Sequence, residues 1–217
     1  MTMQHEPRVA STTLRTSRGE FNFFCFSWGE HEEDNVLCLA NRSGTANLGG
    51  TDLAPLCRVQ SACYTAEIFQ SVDCDCHEQL HTSLAMIREH GGVLVYMLCD
   101  GRGAGLFNKT LGLELGRTDG LDTSDAYARL GIPQDPREYS RVAFALKHLG
   151  LLRIRLLTNN PRKIDGIAQH GITVERCALE IASTRESESY LRTKATKMGH
   201  LLSEFEGEEI GRPEGTF

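Results

Sequence analysis

The sequence predicts a single mixed α/β (α+β) domain, with antiparallel strands in its N-terminal part and strand-loop-helix units in its C-terminal part. Three observations carry this: period-two alternation early in the chain, apolar residues at helical spacing later on, and two short unbroken apolar runs that suit buried strands.

The stretches Arg8 to Arg15, Phe21 to Trp28 and Asn35 to Arg42 alternate or are rich in strand formers, and Gly19 and the run Gly29 to Asp34 separate them as turns. An antiparallel sheet is expected there. From Cys76 to His90 the residues Leu80, Leu84 and Ile87 recur at helical spacing, and Gly91-Gly92 closes the segment. Val93 to Leu98 reads as a buried strand, followed by the glycine-rich loop Asp100 to Gly105 and a helical stretch. Tyr139, Val142, Leu146 and Leu149 share one helical face ended by Gly150, and Leu151 to Leu157 reads as a second buried strand. Pro161 then opens a helix after Thr158-Asn-Asn160, in the first-turn position where a missing N–H costs nothing. No repeat or linker divides residues 1–205, read as one domain, and the acidic, glycine-containing stretch 206–217 is expected to be a disordered tail.

With 217 residues, 40% hydrophobic and 24% charged, the chain is long enough for one sizeable core. A formal net charge of -6 speaks against a nucleic-acid polymer as partner, but leaves room for a locally basic pocket that takes a phosphate ester. No apolar run reaches the roughly 18 residues of a membrane-spanning helix, and Met1 to Arg8 lacks the apolar stretch of a signal peptide, so a cytoplasmic protein without membrane contact is expected. Reduced thiols are then the expectation for the eight cysteines, with Cys25, Cys38, Cys57 and Cys177 read as small buried hydrophobes.

The remaining thiols carry the strongest chemical signal. Cys74-Asp-Cys76 lies eleven residues after Cys63, joined to it through a segment containing Ile68 and Phe69 that reads as β-like. Three thiolates with an open fourth position suit a zinc ion that activates water; a structural site completed by His77 or Cys57, or three unligated thiols, are the alternatives on spacing alone. For anion binding, the loop Asp100 to Gly105 offers backbone donors and one guanidinium, and Arg58 and Arg162-Lys163 add charge, although each reads singly as a surface residue. Asp135 and Arg137 flank Pro136 at a spacing that suits either a local ion pair or a carboxylate acting on a guanidinium.

Taken together, several motifs resemble the GTP cyclohydrolase II family. They are RVxSxC at Arg58 to Cys63, the CDC of Cys74 to Cys76 followed by Gln79, GR at Gly101-Arg102, GLFNK at Gly105 to Lys109, DPR at Asp135 to Arg137, LLTNNPRK at Leu156 to Lys163, and TKATKMGHLL at Thr193 to Leu202. The resemblance implies hydrolytic opening of the imidazole ring of GTP at C8 with release of formate and pyrophosphate, feeding riboflavin synthesis. It further implies one zinc per chain held by Cys63, Cys74 and Cys76, magnesium with the triphosphate, and a homodimer. By the same resemblance Arg137 is a nucleophile toward the α-phosphorus, Asp135 its proton acceptor, and Arg58, Gln79, Asp100, Gly101, Arg102, Thr123, Thr158 and Lys163 contact the nucleotide.

The chain departs from the family pattern at several of these places. Gln60 and Ala62 stand where RVHSEC is usual, Cys99, Asp100, Gly103 and Ala104 where QEGRNIGL is usual, and Leu111 and Leu113 replace an arginine and a tyrosine. Loss of that guanidinium and hydroxyl predicts a reaction that stops at a formamidopyrimidine nucleotide with its formyl group retained. Loss of a base-reading carboxylate, worth about 1–3 kcal/mol of discrimination, instead admits another purine nucleotide or heterocycle. A non-catalytic zinc-containing nucleotide-binding protein is the third reading, and retention of Asp135, Arg137 and all three cysteines weighs against it.

Overall fold

The computed structural model describes residues 6–29, 31–41 and 53–205; the expected tail at 206–217 and the end of the third predicted strand at Arg42 lie outside them. The early alternation produces three strands, β1 (Arg8–Thr16), β2 (Gly19–Ser27) and β3 (Val36–Asn41), paired antiparallel in sequence order. Gly19, at φ 119°, makes the tight β1–β2 turn, and Thr16 Oγ1 closes it by donating to the Gly19 carbonyl at 2.9 Å.

Next come β4 (Leu56–Ser61), the one-turn α1 (Tyr64–Glu67), α2 (Cys76–His90) and β5 (Gly92–Met97). The chain continues through α3 (Leu106–Asp119), α4 (Thr123–Arg129), α5 (Ser140–His148), β6 (Arg153–Leu157), α6 (Pro161–Ala168), β7 (Thr173–Cys177) and α7 (Glu188–Met198). The seven strands form one sheet in the order β1-β2-β3-β5-β4-β6-β7. It is antiparallel from β1 to β5 and parallel from β5 to β7, so the expected antiparallel sheet is one half of a mixed one.

Strand periodicity sends alternate side chains to two buried faces. Val93, Val95 and Met97 of β5 join Cys57 and Val59 of β4 against Val142, Ala145 and Leu146 of α5 and Ile167 of α6. Leu94 and Leu56 point the other way, to Ile87, Leu80 and Leu84 of α2. Cys38 and Cys57 are indeed buried among hydrophobes, while Cys25 and Cys177 are only partly covered.

The segment between Cys63 and Cys74 corrects the β-like reading. Glu67 N–H donates to the Cys63 carbonyl and Ile68 N–H to that of Tyr64, winding a helical turn that buries Ala66 and leaves Ile68 and Phe69 on the surface. The strand-forming side chains had no second strand to pair with, so local hydrogen bonds prevailed.

Two crossovers leave β4 and β5 on opposite faces: α2 links β4 to β5 on one, while α5 links β5 to β6 on the other, passing over β4. The ends of β4, β5 and β6 thus open onto a shared crevice, the place where open α/β sheets bind ligands.

Candidate active site

Three loops leave these strand ends: Ala62 and Cys63 after β4, Asp100 to Gly105 after β5, and Thr158 to Asn160 after β6. With α2, α3, α4 and α7 they enclose a cavity of about 970 Å³. Each residue to which the family resemblance gives a role lines it: Cys63, Cys74, Cys76, Arg58, Gln79, Asp100, Gly101, Arg102, Thr123, Asp135, Arg137, Thr158 and Lys163.

The three cysteine sulfurs lie within 4.8 Å of one another, and those of Cys63 and Cys74 are 3.8 Å apart. Cys63 ends the β4 loop, while Cys76 is the first residue of α2. The Cys63 thiol is held well below the usual thiol range by hydrogen bonds from Cys74 and then Cys76, with the Lys109 ammonium adding to the effect. In return Cys74 is pushed up to about 11 by its bond to Cys63, and Cys76 rises well above the ordinary value. Three clustered thiols that share their protons in this way form a donor set suited to zinc, which would take the place of those protons. Among the described residues no other group joins this ligand cluster: Cys57 is fully buried in the sheet core, and the His77 ring lies 4.2 Å from that of His81.

The single-residue readings of Arg58 and Lys163 as surface cations are overturned. Both are buried. Arg58 donates from Nε and Nη2 to Gln60 Oε1 and from Nη1 to the Leu157 carbonyl. Its Nη2 also reaches Gln79 Oε1 at 2.6 Å, and Gln79 Nε2 donates to Asp75. Lys163 Nζ donates to the Val59 carbonyl at 2.7 Å; burial, then Arg58 and Arg137, force its pKa well below the lysine range. Arg102 sits at φ 59° in the glycine-rich loop, its guanidinium 5.8 Å from the Tyr127 ring and its Nη2 buried without a protein partner.

Asp135 and Arg137 form a bidentate ion pair, with Nε and Nη2 each 2.7 Å from a carboxylate oxygen, while Nη1 donates to Ser61 Oγ at 3.0 Å. Although burial opposes the charge, Asp135 holds the guanidinium firmly protonated. Thr158 Oγ1 accepts from Asn160 N–H, and Thr123 is the first residue of α4.

Sequence reasoning missed several members of the site. Lys109 Nζ reaches Cys63 Sγ at 3.1 Å and Asp100 at 2.9 Å, and Lys194 on α7 reaches Asp75, between the paired cysteines, at 2.9 Å. His200 also lines the cavity; burial, then Lys194 and the other nearby cations, drive its pKa down to about 2, so its imidazole is neutral. Lys109, Lys194 and His200 lie inside matched motifs, but nothing in the motifs assigns them partners. Of the unusual residues, Gln60 braces Arg58 and donates to Glu67, Ala62 is buried in the cavity wall, and Leu113 lines that wall while Leu111 does not.

The family model for GTP cyclohydrolase II matches residues 7–178. The Riboflavin biosynthesis protein RibBA of Bacillus cytotoxicus is 48% identical over 193 residues, covering 88% of this chain and 47% of that protein. Its namesake from Bacillus mycoides is 41% identical over 198 residues, covering 90% and 48%. The chain therefore spans about half the length of these curated relatives. A crystal structure of RibBX, a two-domain 3,4-dihydroxy-2-butanone 4-phosphate synthase from A. baumannii, aligns with 83% of this chain and 42% of that one, at a TM-score of 0.44 and 16% identity. The family match ends before α7, so Tyr190, Lys194 and His200 reach the cavity wall from beyond it. With 172 consecutive residues (178 − 7 + 1) matched by the family model and relatives more than 40% identical, this chain belongs to the GTP cyclohydrolase II family.

Proposed function

We propose that the chain opens the imidazole ring of GTP by hydrolysis at C8 and releases pyrophosphate, using a zinc ion held by Cys63, Cys74 and Cys76. The observation that carries this reading is the placement of the three-sulfur cluster and the Asp135–Arg137 pair on the walls of one 970 Å³ cavity. Zinc in such a thiolate site lowers the pKa of bound water toward about 7 and so supplies a nucleophile at neutral pH.

The protein groups divide the remaining work. Arg102, with an unpartnered buried nitrogen, and Lys163 are the cations left to meet the phosphates, together with magnesium on the triphosphate. Arg58 and Gln79 hold each other on the wall beside the cysteines, a position suited to the purine. The family resemblance gives Arg137 a nucleophilic role, but its bidentate bond to Asp135 supports a fixed cation that stabilises charge developing at the α-phosphorus. Thr123 and Thr158 contribute hydroxyls to the same wall.

The unusual residues favour one hydrolysis. Leu113 presents an apolar surface to the cavity where the family has a tyrosine, removing a hydroxyl that a second hydrolytic step would use. The ring-opened product then keeps its formyl group.

Both points are tested by incubating the zinc-loaded protein with GTP and magnesium and quantifying pyrophosphate and formate. Pyrophosphate release without matching formate is expected, abolished in Cys74→Ser and reduced by about 10²-fold or more in Arg137→Ala. Stoichiometric formate would sink the one-step reading, and equal turnover by Cys74→Ser would sink the zinc assignment.

A further inference from the structure

The zinc reading leaves unexplained why a lysine is buried against one of the three sulfurs. Lys109 lies in the first turn of α3, and its side chain is only 15% exposed. Burying an ammonium costs several kcal/mol unless anions surround it. Its Nζ lies 2.9 Å from Asp100 Oδ1 and 3.1 Å from Cys63 Sγ, so one cation serves two acceptors.

Asp100 is in turn tied to the ligand segment. Its Oδ2 accepts the Tyr64 N–H at 2.8 Å, on the residue that follows Cys63, and its Oδ1 accepts the Gly101 N–H at 2.5 Å. The Asp100 side chain is 2% exposed, so these protein donors occupy a carboxylate that the family resemblance assigns to the nucleotide. A closed bracket results: the Lys109 ammonium holds the Cys63 sulfur, Asp100 holds the ammonium, and the same carboxylate holds the backbone next to Cys63.

We propose that Lys109 is a positioning residue for the metal centre, fixing the Cys63 thiolate toward its two partners and drawing off part of its negative charge. This rests on the reading that Cys63, Cys74 and Cys76 hold zinc. Three thiolates and a divalent cation leave one net negative charge, and a short N–H···S bond offsets it on one sulfur. An ion pair that merely fastened the glycine-rich loop would leave the sulfur's donor strength unchanged; a bond that polarises the sulfur alters it.

The test uses the full chain loaded with zinc, and separately with cobalt as a spectroscopic substitute. Zinc affinity is measured by competition with a chromogenic chelator, and the sulfur-to-cobalt charge-transfer band by absorption. Lys109→Met is expected to weaken zinc by about 10–100-fold and to move the band to lower energy, because the sulfur becomes a stronger donor. Lys109→Arg, which keeps the charge and can span both acceptors, is expected to recover most of the affinity. Since Lys109→Met leaves Asp100 uncompensated, the double variant Lys109→Met/Asp100→Asn provides a neutral background in which the band shift should persist. Zinc affinity within about twofold of wild type together with an unmoved band, in either methionine variant, overturns the proposal. Failure of the wild-type chain to bind zinc at all would remove the zinc reading itself, a distinguishable result.

Discussion

Lys163 illustrates how a residue's role changes once its surroundings are known. Within LLTNNPRK it reads as an exposed cation at the start of a helix, yet it is buried beside Arg58 and Arg137, and its pKa is driven well below the lysine range. A bound triphosphate would reverse that balance by supplying the missing anion. At alkaline pH, where a lysine with a lowered pKa loses its proton first, nucleotide binding is therefore expected to draw a proton from solution, measured by titration calorimetry in buffers of different ionisation enthalpy. Binding heats independent of the buffer would contradict it. The three cysteines were legible because their spacing is a local pattern, and they do converge. Asp75 and Lys194 were not: they are 119 residues apart, and no local signal pairs them.

At the scale of the element, Cys76 to His90 and the helix opening at Pro161 were readable because apolar spacing and stop or start residues agreed. The turn at Tyr64–Glu67 was not, because its β-forming residues were decided by local hydrogen bonds. The β5 start depends on Gly92, at φ 137°, where an added Cβ would fall 2.0 Å from the Leu56 carbonyl oxygen. Gly92→Ala is expected to force β4 and β5 apart and cost about 3 kcal/mol or more, read as a lower denaturant midpoint. A midpoint unchanged from wild type would refute the close approach. The contact of α7 with the cysteine segment is equally specific. Lys194→Met strands the buried Asp75 carboxylate and is expected to cost about 3 kcal/mol, with Asp75→Asn in the same chain recovering part of the loss. Equal melting of the single variant and wild type would show the ion pair to be inconsequential.

Across the whole molecule, a net charge of -6 coexists with a cavity lined by Arg58, Arg102, Arg137, Lys163 and Lys194. Composition alone could show only that an anion site was not excluded; the fold concentrates these cations by bringing three strand ends and α7 to one crevice. The mixed sheet was half legible, since alternation revealed its antiparallel side, but the pairing of β4 between β5 and β6 depends on long-range order. That arrangement sets the three-sulfur cluster and the guanidinium groups of Arg58, Arg102 and Arg137 around a single cavity, and the proposed function has them act together on GTP. Mass spectrometry of the product formed from GTP by the zinc-loaded chain, run beside Cys74→Ser, tests this most directly. The expected result is a ring-opened nucleotide that has lost pyrophosphate and kept its formyl group, absent with Cys74→Ser; unchanged GTP in both reactions would contradict it.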